Sequence, residues 1–191
     1  MQPPSTPPPA TVSELQVRTF ATLKRRNIVP TVDPKIRLIS CAGRLDSQSR
    51  NTDGSTNPAE DSLHLGLVKC LISAPHPKFL SLTLTGDAPA SLLIDHTLLP
   101  NFQHDALMGS RHDHLIPITL DLRDLPVEST GIVCGVAGRV VGETSEGFQE
   151  PVEMSYLSTA RAGTVMVPEE HLHRALDALR GTENGVLSTP D

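Results

Sequence analysis

Tryptophan is absent and tyrosine occurs once, so that aromatics make up 3% of the 191 residues. A core built from this chain must be aliphatic, drawn from Leu, Val, Ile and Ala. Cysteine is almost as scarce. Cys41, Cys70 and Cys134 are odd in number and far apart. That pattern gives no CxxC pair and no disulfide framework, and reads as reduced thiols in a cytosolic protein. No apolar run resembles a signal peptide or a membrane span. A basic excess is missing too. Lys and Arg total 16 against 22 Asp and Glu, a net of −6, which argues against a nucleic-acid partner. Nucleophile elbow, Walker loop, Rossmann fingerprint and HExxH are all absent. Gly135-Val136-Ala137-Gly138 is a small-residue helix face, not a dinucleotide-binding turn. The length fits one compact domain or two very small ones.

What is present centres on residues 154–179. Val152, Met154 and Tyr156 alternate with Glu153 and Ser155, a strand periodicity. Ala162-Gly163 supplies a turn. Thr164-Val165-Met166-Val167 is a β-branched run. Pro168 stops it, and Glu169-Glu170 suit a helix N-terminus. Leu172, Ala175, Leu176 and Leu179 then form one apolar stripe, closed by Arg180-Gly181. A hairpin with a helix packed back on it is the second half of a β-α-β-β-α-β module.

The rest of the chain falls into similar pieces. Residues 1–33 read as a proline-rich tail, with a short helix over 11–27. Residues 36–45 read as the first core strand, and 46–61 as a turn-rich flexible loop. A helix is predicted over 63–72 and a hairpin from 79–85 and 91–94. Residues 101–114 are loop-like, 115–122 a strand, and 130–141 a closely packed helix. Residues 1–30, 46–61 and 181–191 cannot bury enough apolar surface to order by themselves. The halves, 34–103 and 114–181, share an order, a weak internal repeat. Each shows three strands where a ferredoxin-like module needs four. The fold class expected is therefore α+β, two interlocked ferredoxin-like halves sharing strands, with residues 182–191 a second tail. The strand over 36–45 should pair into the second half.

Three segments carry a family resemblance. They are Phe79-Leu80-Ser81-Leu82-Thr83-Leu84-Thr85 with Leu92-Leu93-Ile94 and Leu99-Pro100; Leu125-Pro126-Val127-Glu128-Ser129-Thr130-Gly131-Ile132-Val133; and Tyr156-Leu157-Ser158-Thr159 with Val165-Met166-Val167-Pro168-Glu169-Glu170 and Leu172. The chain resembles the paired-ACT family of the CASTOR-type cytosolic arginine sensors and their shorter bacterial and fungal relatives. The third segment is the most specific. The resemblance implies an ACT-type fold that binds or senses a small molecule, typically an amino acid. It does not imply catalysis, and neither an enzyme activity nor a cofactor is expected. Where the family carries a Tyr-Asp-Thr-Asp turn, this chain has Ala160-Arg161-Ala162-Gly163. A carboxylate that would meet an ammonium group is replaced by positive charge, which favours an anionic ligand, or none, over arginine.

The best candidate site is the turn into the helix over 130–141: Glu128, Ser129, Thr130, Gly131 and Ile132. A helix N-terminus offers free N–H groups and a positive dipole end to a carboxylate. Gly131 gives access, and Ser129 or Thr130 a hydroxyl. Simple helix capping explains the same residues. Ser158 and Thr159 can add hydroxyls, or serve only the turn. His112-Asp113-His114 with His104 offers too few rigid ligands for zinc, and no metal is expected. His171 and His173 read as a solvated helix face. The alternative function is an interaction module that keeps the fold, has lost its ligand, and works through a protein partner or a homo-oligomer. Neither nucleic acid nor membrane is expected as a partner, and the compartment expected is the cytoplasm.

Overall fold

The computed structural model describes residues 11–43, 58–72, 78–85, 89–126, 129, 131–141 and 151–180. In chain order these give α1 (Val12–Arg25), β1 (Thr31–Val32), β2 (Leu38–Gly43), α2 (Pro58–Ile72), β3 (Leu80–Thr83), β4 (Ser91–Asp95), β5 (Leu107–Met108), β6 (Leu115–Asp121), α3 (Ile132–Val141), β7 (Ser155–Ser158), β8 (Ala162–Pro168) and α4 (Leu172–Arg180). Short 3-10 turns cover His96–Asn101 and Glu169–His171. The chain divides into two compact units. One is continuous, Asp33–Ile116; the other joins Met1–Val32 to Pro117–Asp191.

In the continuous unit the strand order is β3-β4-β2, all antiparallel, with β5 on the far end of β2. Ile39, Leu92 and Ile94 meet Leu63 and Cys70 of α2 in an aliphatic core that Phe102 completes. Leu38 of β2 also pairs with Leu115, the first residue of β6.

In the discontinuous unit β6, β8 and β7 are neighbours in that order, and β1 pairs with β6. Ile118, Leu120, Val165 and Val167 from the strands pack with Val136 and Val140 of α3 and Ala175 and Leu179 of α4. The alternating apolar stripe along 172–179 thus buries one edge, as its spacing predicts.

Each unit has its fourth strand, and each is only two residues long. Leu107–Met108 lies inside a segment that reads as loop, and Thr31–Val32 inside one that reads as tail. Thr31 strengthens the second by donating its hydroxyl to the Thr119 carbonyl at 3.1 Å. The α+β, ferredoxin-like pattern holds. The N-terminal segment supplies a strand to the unit that closes the chain, with the whole of the other unit running between.

The N-terminal segment also requires a correction. Residues 11–32 are part of a core rather than of a tail. Thr11 caps α1 by accepting the Glu14 N–H at 3.1 Å, and Glu14 pairs with Arg18 one turn on. Thr19 and Leu23 are each only 4% exposed, because α1 packs along α3. The helix ends in a Schellman arrangement: Asn27 adopts φ +54°, its N–H bonds the Lys24 carbonyl, and the Ile28 N–H bonds that of Leu23. Order over 11–30 therefore comes from tertiary packing that composition does not show. The tails 1–10 and 182–191, and residues 46–57 of the predicted loop, lie outside the described residues; residues 58–61 are not loop but the first turn of α2.

The hairpin turn also moves. Ala162-Gly163 opens β8 instead of forming the bend, and Gly163 pairs with Ser158. The bend is closed earlier, by Thr159, whose N–H bonds the Ala162 carbonyl at 2.9 Å and whose hydroxyl accepts the Ala162 N–H at 3.1 Å. The strand before it runs Ser155–Ser158, starting later than the alternation from Val152 predicts, although Val152 itself is buried.

Candidate functional site

Strand β6 ends at Asp121, and the backbone folds over at once. The Asp121 carboxylate accepts the Arg123 N–H at 3.1 Å and its Nε–H at 2.9 Å. The Leu122 N–H bonds the Arg161 carbonyl at 2.8 Å, which ties this loop to the β7–β8 bend. Further on, the Ser129 N–H bonds the Pro126 carbonyl at 2.9 Å, a turn that delivers the chain to Gly131. Gly131 sits at φ +77°, a left-handed conformation that costs any L side chain, and its carbonyl accepts the first helical bond of α3, from Gly135 at 2.8 Å. The first N–H groups of α3 have no partner within the helix, as at any α-helix start.

These elements enclose an open pocket of about 650 Å³ within the discontinuous unit. It brings together Ser129, Gly131, Ile132, Ser158 and Thr159, five of the residues that the sequence singles out. Glu128 and Thr130, the other two, lie outside the described residues. The five do not play equal parts. Ser158 is exposed, and Ser129 half-buried, so both hydroxyls can meet a ligand. Thr159 spends its hydroxyl on the bend. Gly131 faces its own protein: a Cβ there would lie 2.5 Å from Leu15 Cδ1 of α1. Its role is to allow the left-handed turn and the close approach of α1, so the access expected of it comes instead from the open mouth of the pocket.

Lining residues beyond those singled out by the sequence include Arg123, Tyr156 and Cys134. Tyr156, the chain's one tyrosine, lines the pocket, while its hydroxyl is buried with no hydrogen-bond partner among the described residues. Burial raises its pKa. The ring lies across Gly163, where a Cβ would fall 2.0 Å from the hydroxyl oxygen. Residues two apart across a strand pair are in reach of a long side chain. Cys134, in the first turn of α3, is the exposed member of the three free cysteines; Cys41 and Cys70 are buried. Burial pushes the Cys41 thiol up to about 11 and raises that of Cys70 as well.

No Asp, Glu or His lines the pocket among the described residues. The N–H groups of a helix start, its dipole and two hydroxyls suit a carboxylate, and Ile132 and Leu125 offer apolar contact. Among the described residues that line the pocket, no base stands beside Cys134 or the serines to activate a nucleophile. Among the described residues no three His, Cys, Asp or Glu side chains converge on a metal position, and no helix is long and apolar enough to cross a membrane. Of the two helix-flanking histidines, His173 is exposed; His171 is only half so, with Nδ1 buried and without a partner among the described residues.

The sequence matches no protein-family model and no curated protein. Among solved structures, the ligand-free regulatory subunit of aspartate kinase from Thermus thermophilus aligns over 82% of this chain and 99% of its own, at 12% identity and a TM-score of 0.50. The corresponding subunit from Thermus flavus gives 80% and 95%, 13% and 0.45. A Vibrio cholerae protein of unknown function, described as a possible transport protein, gives 88% and 93%, 14% and 0.48. What is shared at such identities is the fold, a mixed α+β arrangement of the ferredoxin-like, ACT type.

Proposed function

We propose that this chain is a non-catalytic regulatory module that binds a small carboxylate, with an α-amino acid as the natural class. The observation that carries this reading is the pocket at the start of α3, which gathers helix N–H donors, Ser129 and Ser158 in one place without an acidic side chain among the described residues. The ligand carboxylate sits on the first turn of α3, and the ligand body on Ile132 and Leu125. Support also comes from the fold, shared with a regulatory subunit whose solved form is called ligand-free. The resemblance to the CASTOR-type sensors belongs to the same reading. Arg161, in the bend before β8, is exposed where those sensors carry acid, and so selects against a cationic side chain.

The test is a thermal-shift panel of the twenty amino acids and their 2-oxo acids on the full chain. A ligand at 100 times its Kd adds about 2.7 kcal/mol to stability. Ser129→Ala or Ser158→Ala should weaken that ligand about fivefold or more, through loss of a hydrogen bond to a charged group. A flat response across the panel rejects the reading.

The alternative, an interaction module without a ligand, draws on one observation of its own. Along α2, Leu65, Val68, Leu71 and Ile72 are 50–74% exposed, which leaves an apolar stripe without a partner among the described residues. It predicts the flat panel, together with self-association or capture of a partner that Leu71→Lys abolishes.

A further inference from the structure

A second pocket lies at the other end of α3. It encloses about 390 Å³ and shares no lining residue with the first. Three helices end there. Each brings one basic residue from its last turn: Lys24 from α1, Arg139 from α3 and Arg180 from α4. The floor is apolar, with Leu120 and Leu23 buried and Ile28 on the wall. The Schellman turn at Asn27 holds that wall in place.

Basic residues in last helical turns have an ordinary explanation, since they offset the negative dipole end. Among the described residues the charges do not balance, however. Each helix end carries about half a negative charge, and three full cations exceed three such ends about twofold. Among the described residues no acidic side chain lines the pocket and no carboxylate pairs with Lys24, Arg139 or Arg180. This stands in a chain of net charge −6. Arg139 is also held in place: its guanidinium carbon lies 4.4 Å from the centre of the Phe20 ring. A guanidinium stacked on a ring keeps its in-plane donors for a carboxylate, at reduced entropic cost.

The geometry points to a binding site for an amphipathic anion, a carboxylate carrying an aliphatic or aromatic body. The carboxylate bonds Arg139, with Lys24 and Arg180 adding field, and the body fills the space over Leu120 and Ile28. This site is separate from the amino-acid pocket and does not depend on it.

The probes are octanoate, 1-octanol and octylammonium, which share one body and differ in charge. Isothermal titration of the full chain should show octanoate binding, octanol at least about tenfold weaker and octylammonium not at all. Affinity for octanoate should fall as salt rises. Arg139→Gln should weaken octanoate about tenfold. Because Arg139 also packs on Phe20, the exposed Lys24→Gln is the companion variant, and a severalfold loss there carries the claim if Arg139→Gln unfolds. The rate of Cys134 alkylation should not change with octanoate, because Cys134 lines only the other pocket. Equal binding of octanoate and octylammonium overturns the proposal. So does unchanged octanoate affinity in folded Lys24→Gln and Arg139→Gln, or octanoate that slows Cys134 alkylation.

Discussion

Helix α1 presses on α3 through two glycines, and replacing each by alanine separates close packing from helix propensity. A Cβ on Gly135 would lie 2.7 Å from Thr19 Cγ2 and 2.8 Å from Thr19 Cβ. That is about 0.7 Å inside ordinary contact. Thr19 is only 4% exposed, and its Cβ cannot swing away, so the helix backbone must retreat. A Cβ on Gly138 would instead meet Gln16 Nε2 at 2.3 Å, the far end of a flexible side chain that can rotate aside. Both substitutions gain about 1 kcal/mol of helix propensity. That gain cancels in the comparison. What remains is overpacking at Gly135, about 1–3 kcal/mol. Gly138→Ala should therefore be more stable than Gly135→Ala by about 1–3 kcal/mol, and more stable than the parent by up to about 1 kcal/mol. Urea denaturation of the three proteins at equal m-value measures this, and thermal melts should separate by about 2–4 °C per kcal/mol. If the two variants are equally stabilised, α1 does not pack on α3 as described, and residues 11–32 revert to a tail.

Other outcomes follow from the same structure. Gly131→Ala should destabilise by at least about 1–2 kcal/mol, from the left-handed φ and the crowding of Leu15; chemical denaturation reads this, and it makes Gly131 a poor place to probe ligand access. Tyr156→Phe removes a buried hydroxyl that has no partner among the described residues and should raise the stability of the ligand-free chain by about 1–2 kcal/mol, seen in the same denaturation assay. The Arg123 guanidinium holds the Asp121 carboxyl at about 2, below the ordinary 3.8. This depressed value stabilises the fold above the unfolded pKa, and the contribution disappears as pH falls through about 4 to about 2. An NMR titration should find the low value in the parent and a return toward 3.8 in Arg123→Gln.

Much of the architecture was legible because it rests on long periodic segments. The stripe Leu172, Ala175, Leu176, Leu179 specifies one element and one buried face. The alternation along 79–85 marks β3, Leu80–Thr83, but not a buried face, since Leu82 and Leu84 are 42% and 71% exposed. The fourth strands were not legible. Thr31–Val32 and Leu107–Met108 are two residues each, too short to carry a period, and exist only because neighbouring strands offer backbone partners. Helix α1 was readable as a helix but not as core, since its burial depends on the small face at Gly131, Gly135 and Gly138 more than 100 residues away. At the site, turn chemistry pointed to Ser129, Gly131 and Ile132. Which of them faces a ligand depends on Leu15 filling the space beside Gly131, a tertiary fact. Tyr156 read as an ordinary strand residue because nothing local marks a hydroxyl whose neighbour lies across the hairpin.

The central claim, that a small carboxylate binds at the start of α3, is tested most directly by the chemistry of Cys134. It lines that pocket and is exposed, whereas Cys41 and Cys70 are buried and serve as internal references. Iodoacetamide labelling followed by mass spectrometry should modify Cys134 first in the free protein. An amino acid or 2-oxo acid that raises the melting temperature should slow that modification in proportion to occupancy, up to about a hundredfold at 100 times its Kd. Cys134 labelling that keeps its free-protein rate in the presence of every compound that stabilises the chain would contradict the account.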